Sequence, residues 1–87
     1  MKRDNAIKNF EIQLSSNWRL KADAHQWIVQ KWGSPRWRSV SFIASNKHVL
    51  MRVLRERNVI PTDKARLALD MLPERFSDWL NQIKGDG

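Results

Sequence analysis

The spacing of apolar residues changes at Ser45, and that change constrains the fold more than any motif in the chain. Ahead of it, short runs alternate apolar and polar with a period of two, as half-buried strands do. Phe10-Glu11-Ile12-Gln13-Leu14 is one such run and Trp18-Arg19-Leu20-Lys21-Ala22 is another, with the turn signal Ser15-Ser16-Asn17 between them. Gln26 to Trp32 is rich in β-formers. Asp23-Ala24-His25 turns the chain ahead of it, Gly33-Ser34-Pro35-Arg36 supplies turn chemistry behind it, and Trp37 to Ala44 is a last strand. From Ser45 onward the spacing is helical. Ser45 suits an N-cap, Val49, Leu50, Val53 and Leu54 form a stripe, Asn58 suits a C-cap, and Pro61 ends the helix. Thr62 caps a second helix with Ala65, Leu69 and Leu72 inward, and Pro73 interrupts it. Phe76, Trp79, Leu80 and Ile83 then recur at i, i+3, i+4 and i+7.

Strands first and helices second predict an α+β fold. The expected form is a three- or four-stranded antiparallel sheet followed by two or three helices on one face, the other face left to solvent. Eighty-seven residues suit one domain, residues 1–87, with one modest core. Residues 1–9 are polar and 85–87 glycine-rich, so both ends are expected to be loose.

The Gly33–Arg36 turn can be converted into faces. Closed as a hairpin, it sets Trp32 opposite Trp37, Val29 opposite Val40, and Trp27 opposite Phe42. Trp27, Val29, Val40 and Phe42 then belong to the helix side. The wet side carries Ile28, Gln30, Trp32, Trp37, Ser39, Ser41 and Ile43. A one-residue shift of register would exchange the faces. The hairpin end gathers Lys31, Trp32, Arg36, Trp37 and Arg38, which suits a polyanion with exposed bases: cations meet phosphate and indoles offer stacking surfaces. A tryptophan pair that simply fastens the hairpin explains the same residues. Trp27 and Trp79 lie on apolar stripes and read as core, and Trp18 reads as packed. Arg52, Arg55 and Arg57 on the first helix after the sheet suit a second phosphate contact, or equally a solvated helix face.

Charge supports the polyanion. Residues 1–57 hold twelve Lys and Arg against four Asp and Glu, whereas residues 58–87 hold four against five. Other chemistry is thinly represented. With no cysteine there is no thiol nucleophile and no thiolate metal site, and His25 and His48 have no ligand spacing. Gly33 is the only glycine before residue 85, so no glycine-rich phosphate loop exists. Asp23 and His25 can hydrogen-bond across a turn, but no activated nucleophile stands near them. The expectation is a protein that is not an enzyme and takes no cofactor or metal. No run approaches the roughly 20 apolar residues of a membrane span, and no apolar stretch follows the basic N-terminus. The cytoplasm is the expected compartment.

The stretches Asn17-Trp18-Arg19-Leu20, Gln26-Trp27-Ile28-Val29-Gln30-Lys31 and Trp37-Arg38-Ser39-Val40-Ser41-Phe42, followed by helices, resemble small phage and prophage accessory proteins. The resemblance is one of pattern over about four fifths of the chain and carries no catalytic residue. It implies a product that modulates a larger machine. The architecture also resembles the three-stranded DNA-binding domains of ethylene-response factors and some phage-type integrases, whose sheet enters the major groove. Lys31, Trp32, Arg36, Trp37 and Arg38 would stand on the corresponding strands, though the glycine-rich turns of that family are missing. Three functions are therefore expected as alternatives. The first is a phage or mobile-element protein binding nucleic acid or a nucleoprotein through the basic hairpin. The second is an inhibitor of a host defence system, of anti-CRISPR type, using the hairpin against a nucleic-acid-processing protein complex. The third is a small structural or assembly protein.

Overall fold

Short turns between alternating runs force neighbouring strands to pair in chain order, and the sheet is a four-stranded antiparallel meander, β1-β2-β3-β4. The computed structural model describes the backbone of residues 2–85 and the side chains of residues 6–84. Its elements are α1 (Lys2–Asn9), β1 (Ile12–Ser15), β2 (Trp18–Ala22), β3 (Trp27–Gly33), β4 (Arg36–Ile43), α2 (Lys47–Glu56), α3 (Asp63–Asp70) and α4 (Phe76–Gly85). The fold is α+β, with the helices on one face of the sheet. No helix among the described residues is long and apolar enough to cross a membrane.

The β2–β3 turn is tied by Asp23. Its carboxylate accepts the backbone N–H groups of His25 at 2.7 Å and Gln26 at 3.0 Å, and the Gln26 side-chain amide at 3.1 Å. Burial pushes this carboxyl up, but those hydrogen bonds outweigh it and hold it below its ordinary value of 3.8. The His25 ring takes no part in these bonds.

The helices begin and end where short polar residues satisfy loose backbone groups. Asn46, not Ser45, is the N-cap of α2, its side chain accepting from the Val49 N–H at 2.9 Å. Ser45 is engaged elsewhere, its carbonyl accepting the Phe76 N–H at 3.0 Å where the chain pairs Asn46 with Arg75. Lys47 fastens the same junction by donating Nζ to the carbonyls of Asp70 and Leu72, at 3.1 and 2.8 Å. At the other end of α2, Asn58 has φ 60°, the left-handed conformation that follows a helix C-cap. Thr62 caps α3 as its sequence suggests, its hydroxyl accepting from Ala65 N–H at 3.1 Å. The opening segment is helical from Lys2 to Asn9, with Ile7 buried. At the far end, α4 runs to Gly85, and residues 86 and 87 lie outside the described residues.

The core is an aromatic cluster set on aliphatic strands. Trp27 is fully buried, with its ring edge-to-face to Phe76 at 5.4 Å and to Trp79 at 6.2 Å, and Phe10 caps Trp79 at 4.8 Å. Leu14, Leu20 and Val29 from the sheet meet Leu50, Leu54 and Leu69 from the helices in the same cluster. The stripe expected in α4 is confirmed, with Phe76 and Trp79 buried and Leu80 and Ile83 half-buried.

The β3–β4 register departs from the expected one at a single residue. Trp32 pairs with Trp37, Lys31 with Arg38 and Gln30 with Ser39, as the turn dictates. Beyond Gln30 the pairing slips, so that Val29 faces Ser41, Ile28 faces Phe42 and Trp27 faces Ile43. Val40 is the unpaired residue of a β-bulge. Two adjacent residues of β4, Val40 and Ser41, therefore share the helix side, and every later side chain exchanges faces. Ile43, expected on the wet side, is buried in the core, while Phe42, expected in the core, is 57% exposed.

Truncating Trp27 or Trp79 to alanine should cost roughly 3–5 kcal/mol and leave little of so small a domain folded. Phe42→Ala should instead melt within a few degrees of the native protein in thermal denaturation followed by circular dichroism.

Candidate functional site

The β3–β4 hairpin sets its cations and its indoles on different faces. On the face away from the helices, alternation aligns Arg19 and Lys21 of β2, Ile28, Gln30 and Trp32 of β3, and Trp37, Ser39 and Phe42 of β4. A hydrogen-bonded row crosses three strands there. Arg19 Nε donates to Gln30 Oε1 at 2.7 Å, and Gln30 Nε2 donates to Ser39 Oγ at 3.1 Å. The Trp32 and Trp37 rings meet edge to face at 5.5 Å. The Arg19 guanidinium lies 4.4 Å from the centre of the Trp37 ring, so one surface of that indole is already covered. Trp32 keeps 39% of its surface exposed. Of the pair, Trp32 is the open platform.

Lys31 and Arg38 face each other on the opposite side, and Arg36 pairs with Gly33 beside the Ser34–Pro35 turn. The Lys31 ammonium sits 5.5 Å from the centre of the Trp18 ring, an indole half-buried against the core. The five residues expected to form one cluster are thus brought to one end of the hairpin but set on two faces, cations on one and indoles on the other. A shallow cleft at that end, lined by Lys31, Trp32, Gly33, Arg38 and Val40, is bordered by both sets.

Ion pairing separates these cations from the rest of the sheet. Glu11 lies 3.7 Å from Arg19 and 3.9 Å from Lys21, one carboxylate shared by two cations, which halves the charge on that part of the open face. Among the described residues, Lys31, Arg36 and Arg38 form no ion pair. Three like charges concentrated at one hairpin end, with no ion-pair partner among the described residues, favour an anionic partner.

Arg52 and Arg55 of α2 and Arg57 at its C-cap are engaged separately. Arg52 is paired with Glu56 at 3.9 Å, one turn along the helix. Arg55 borders a separate cleft with Met51, Val59, Ile60 and Arg66. Arg57 reaches across to the sheet, donating Nε to Ser41 Oγ at 2.8 Å and Nη2 to the Val40 carbonyl at 3.0 Å. It holds the bulge that the β4 edge would otherwise leave to solvent.

Sequence reasoning missed Arg19 and Phe42 as members of this face. Arg19 comes to Trp37 only through the pairing of β2 with β3, so nothing local points to it. Comparisons with family models, with curated proteins and with solved structures give no match to this chain.

Arg57→Ala removes two hydrogen bonds to the bulge and should lower stability by about 1 kcal/mol. In a domain of this size that is a fall of roughly 4–8 °C in melting temperature. Arg57→Lys, lacking the fork that reaches both acceptors, should recover only part of the loss. Arg55→Ala should leave the melting temperature unchanged.

Proposed function

We propose that this chain is a non-enzymatic binding protein that takes nucleic acid, free or within a nucleoprotein, at the β3–β4 hairpin. The observation that carries the reading is the concentration of Lys31, Arg36 and Arg38, none with an ion pair among the described residues, beside the exposed Trp32. Phosphate is the anion such a set meets best, because guanidinium groups match its geometry and each contact releases counterions. The indole supplies what a phosphate surface alone does not require, a ring face for an unpaired base. The strongly basic first 57 residues add a long-range attraction of the same sign. Its setting would be the cytoplasm of a cell carrying a phage or other mobile element, as the sequence resemblance implies.

The partner's charge sets the test. Titration of the protein with fluorescein-labelled single-stranded and duplex oligonucleotides at two salt concentrations should show affinity falling steeply with salt. Three contacts to a single strand correspond to a slope of about −2 in log K against log salt. Replacing Arg36 and Arg38 together by Glu should abolish this binding while the melting temperature stays within a few degrees, since exposed charges contribute at most ~1 kcal/mol to stability. Undiminished binding by the double variant would contradict the reading, and so would a protein that binds no oligonucleotide at either salt.

A further inference from the structure

We infer that Phe42 is a second base-stacking site, paired with Trp32, and that the open sheet face takes a single strand of nucleic acid and not a duplex. The inference rests on the nucleic-acid reading above and adds to it the form of the ligand and a residue that alternation alone assigns to the core. Phe42 stands on the open face because the bulge at Val40 puts it there, opposite Ile28, with 57% of its surface uncovered. Bulges often re-aim a side chain next to a functional site. The fold maintains this one with a dedicated arginine, Arg57, bonded to the Val40 carbonyl and the Ser41 hydroxyl. A large aromatic ring left in solvent at the end of a well-packed core is the unusual feature, since Ile43 takes the core position beside it.

Phe42 and Trp32 belong to one row. Ile28, the partner of Phe42, is four residues from Trp32 along β3, which is about 13 Å of strand. Between them lies the Gln30–Ser39 pair, an amide and a hydroxyl suited to base edges. Two aromatic platforms separated by polar groups match unstacked bases laid along a sheet.

A duplex fits this face poorly. Its bases are stacked on one another and show only their edges, so neither ring would find a partner. The cations of the open face are also occupied, with Arg19 and Lys21 both beside Glu11. Lys31, Arg36 and Arg38, with no ion pair among the described residues, lie on the opposite side of the hairpin. β4 is the last strand of the sheet, and a single strand running along its outer edge, on the turn side of the Arg57–Val40 contact, can turn phosphates to Arg36 and Arg38 and bases to the open face.

The experiment uses a labelled ten-nucleotide oligothymidylate and a labelled duplex of the same length, bound to the full chain. The single strand should bind more tightly than the duplex. Phe42→Ala should weaken single-strand binding roughly tenfold or more, with the melting temperature nearly unchanged. Phe42→Leu should be as weak as the alanine variant, and Phe42→Trp should restore or exceed native affinity, a pattern that apolar packing alone does not produce. Native affinity in Phe42→Ala, or a preference for duplex, would overturn this inference. If the Arg36, Arg38 double reversal still abolished binding in that case, the nucleic-acid reading would stand without it. If the native protein bound neither oligonucleotide, both would fall.

Discussion

One surplus residue in β4 decides which side chains the helices cover. Seven residues of β3 lie against eight of β4, and the ladder absorbs the difference at Val40. An edge strand tolerates such an irregularity because it has a neighbour on one side only. The turn end keeps the register that Trp32 and Trp37 define, whereas the base of the hairpin is shifted by one. Ile43 is thereby delivered to the aromatic cluster around Trp27, and Phe42 is turned outward. The two hydrogen bonds from Arg57 tie this irregularity to the end of α2, so the register of the sheet and the position of the helix depend on each other.

The five tryptophans illustrate how placement divides one residue type among different tasks. Trp27 and Trp79 are buried and hold the helices to the sheet through edge-to-face contacts. The Trp27 indole N–H has no acceptor among the described residues, a cost that the packing of a fully buried ring offsets. Trp18 and Trp37 each lie within cation–π range, of Lys31 and Arg19 respectively. Trp32 is the most open ring of the hairpin pair. The cations divide in the same way, since Arg19 and Lys21 of the open face share Glu11 and those of the hairpin end have no ion pair among the described residues.

Much of this architecture was legible in the residues because local physics produces it. Period-two runs became β1 and β2, the β-former run and the stretch after the Gly33–Arg36 turn became β3 and β4, the i, i+3, i+4, i+7 stripe became α4, and Thr62 capped α3 as its position suggests. The Trp32–Trp37 pairing was legible too, since a short turn fixes the residues next to it. The bulge was not. Val40-Ser41-Phe42-Ile43 alternates acceptably in either register, and only the packing of Ile43 against the cluster, with Arg57 reaching over from α2, selects between them. The opening helix was hidden for a different reason: Lys2–Asn9 is polar almost throughout, and Ile7 alone marks its inner side. Ser45 and Asn46 are comparable capping residues, and the pairing with the α3–α4 connection decided in favour of Asn46. In the candidate site, the residues contiguous on the hairpin could be read, while Arg19 required a strand pairing and Phe42 required the bulge.

The β3–β4 register decides which side chains the open face carries, and nuclear Overhauser contacts across the hairpin in solution measure it directly. The α-protons of a directly opposed, non-hydrogen-bonded pair lie close enough to give a strong cross-peak, because the Cα atoms are about 4.5 Å apart. Cross-strand contacts, between α-protons for the non-hydrogen-bonded pair and between amide protons for the hydrogen-bonded one, should connect Ile28 with Phe42 and Trp27 with Ile43, with Val40 unpaired and Trp32 opposite Trp37. Contacts of Trp27 with Phe42 and of Val29 with Val40 would mean an unbroken ladder, a buried Phe42 and no second platform on the open face.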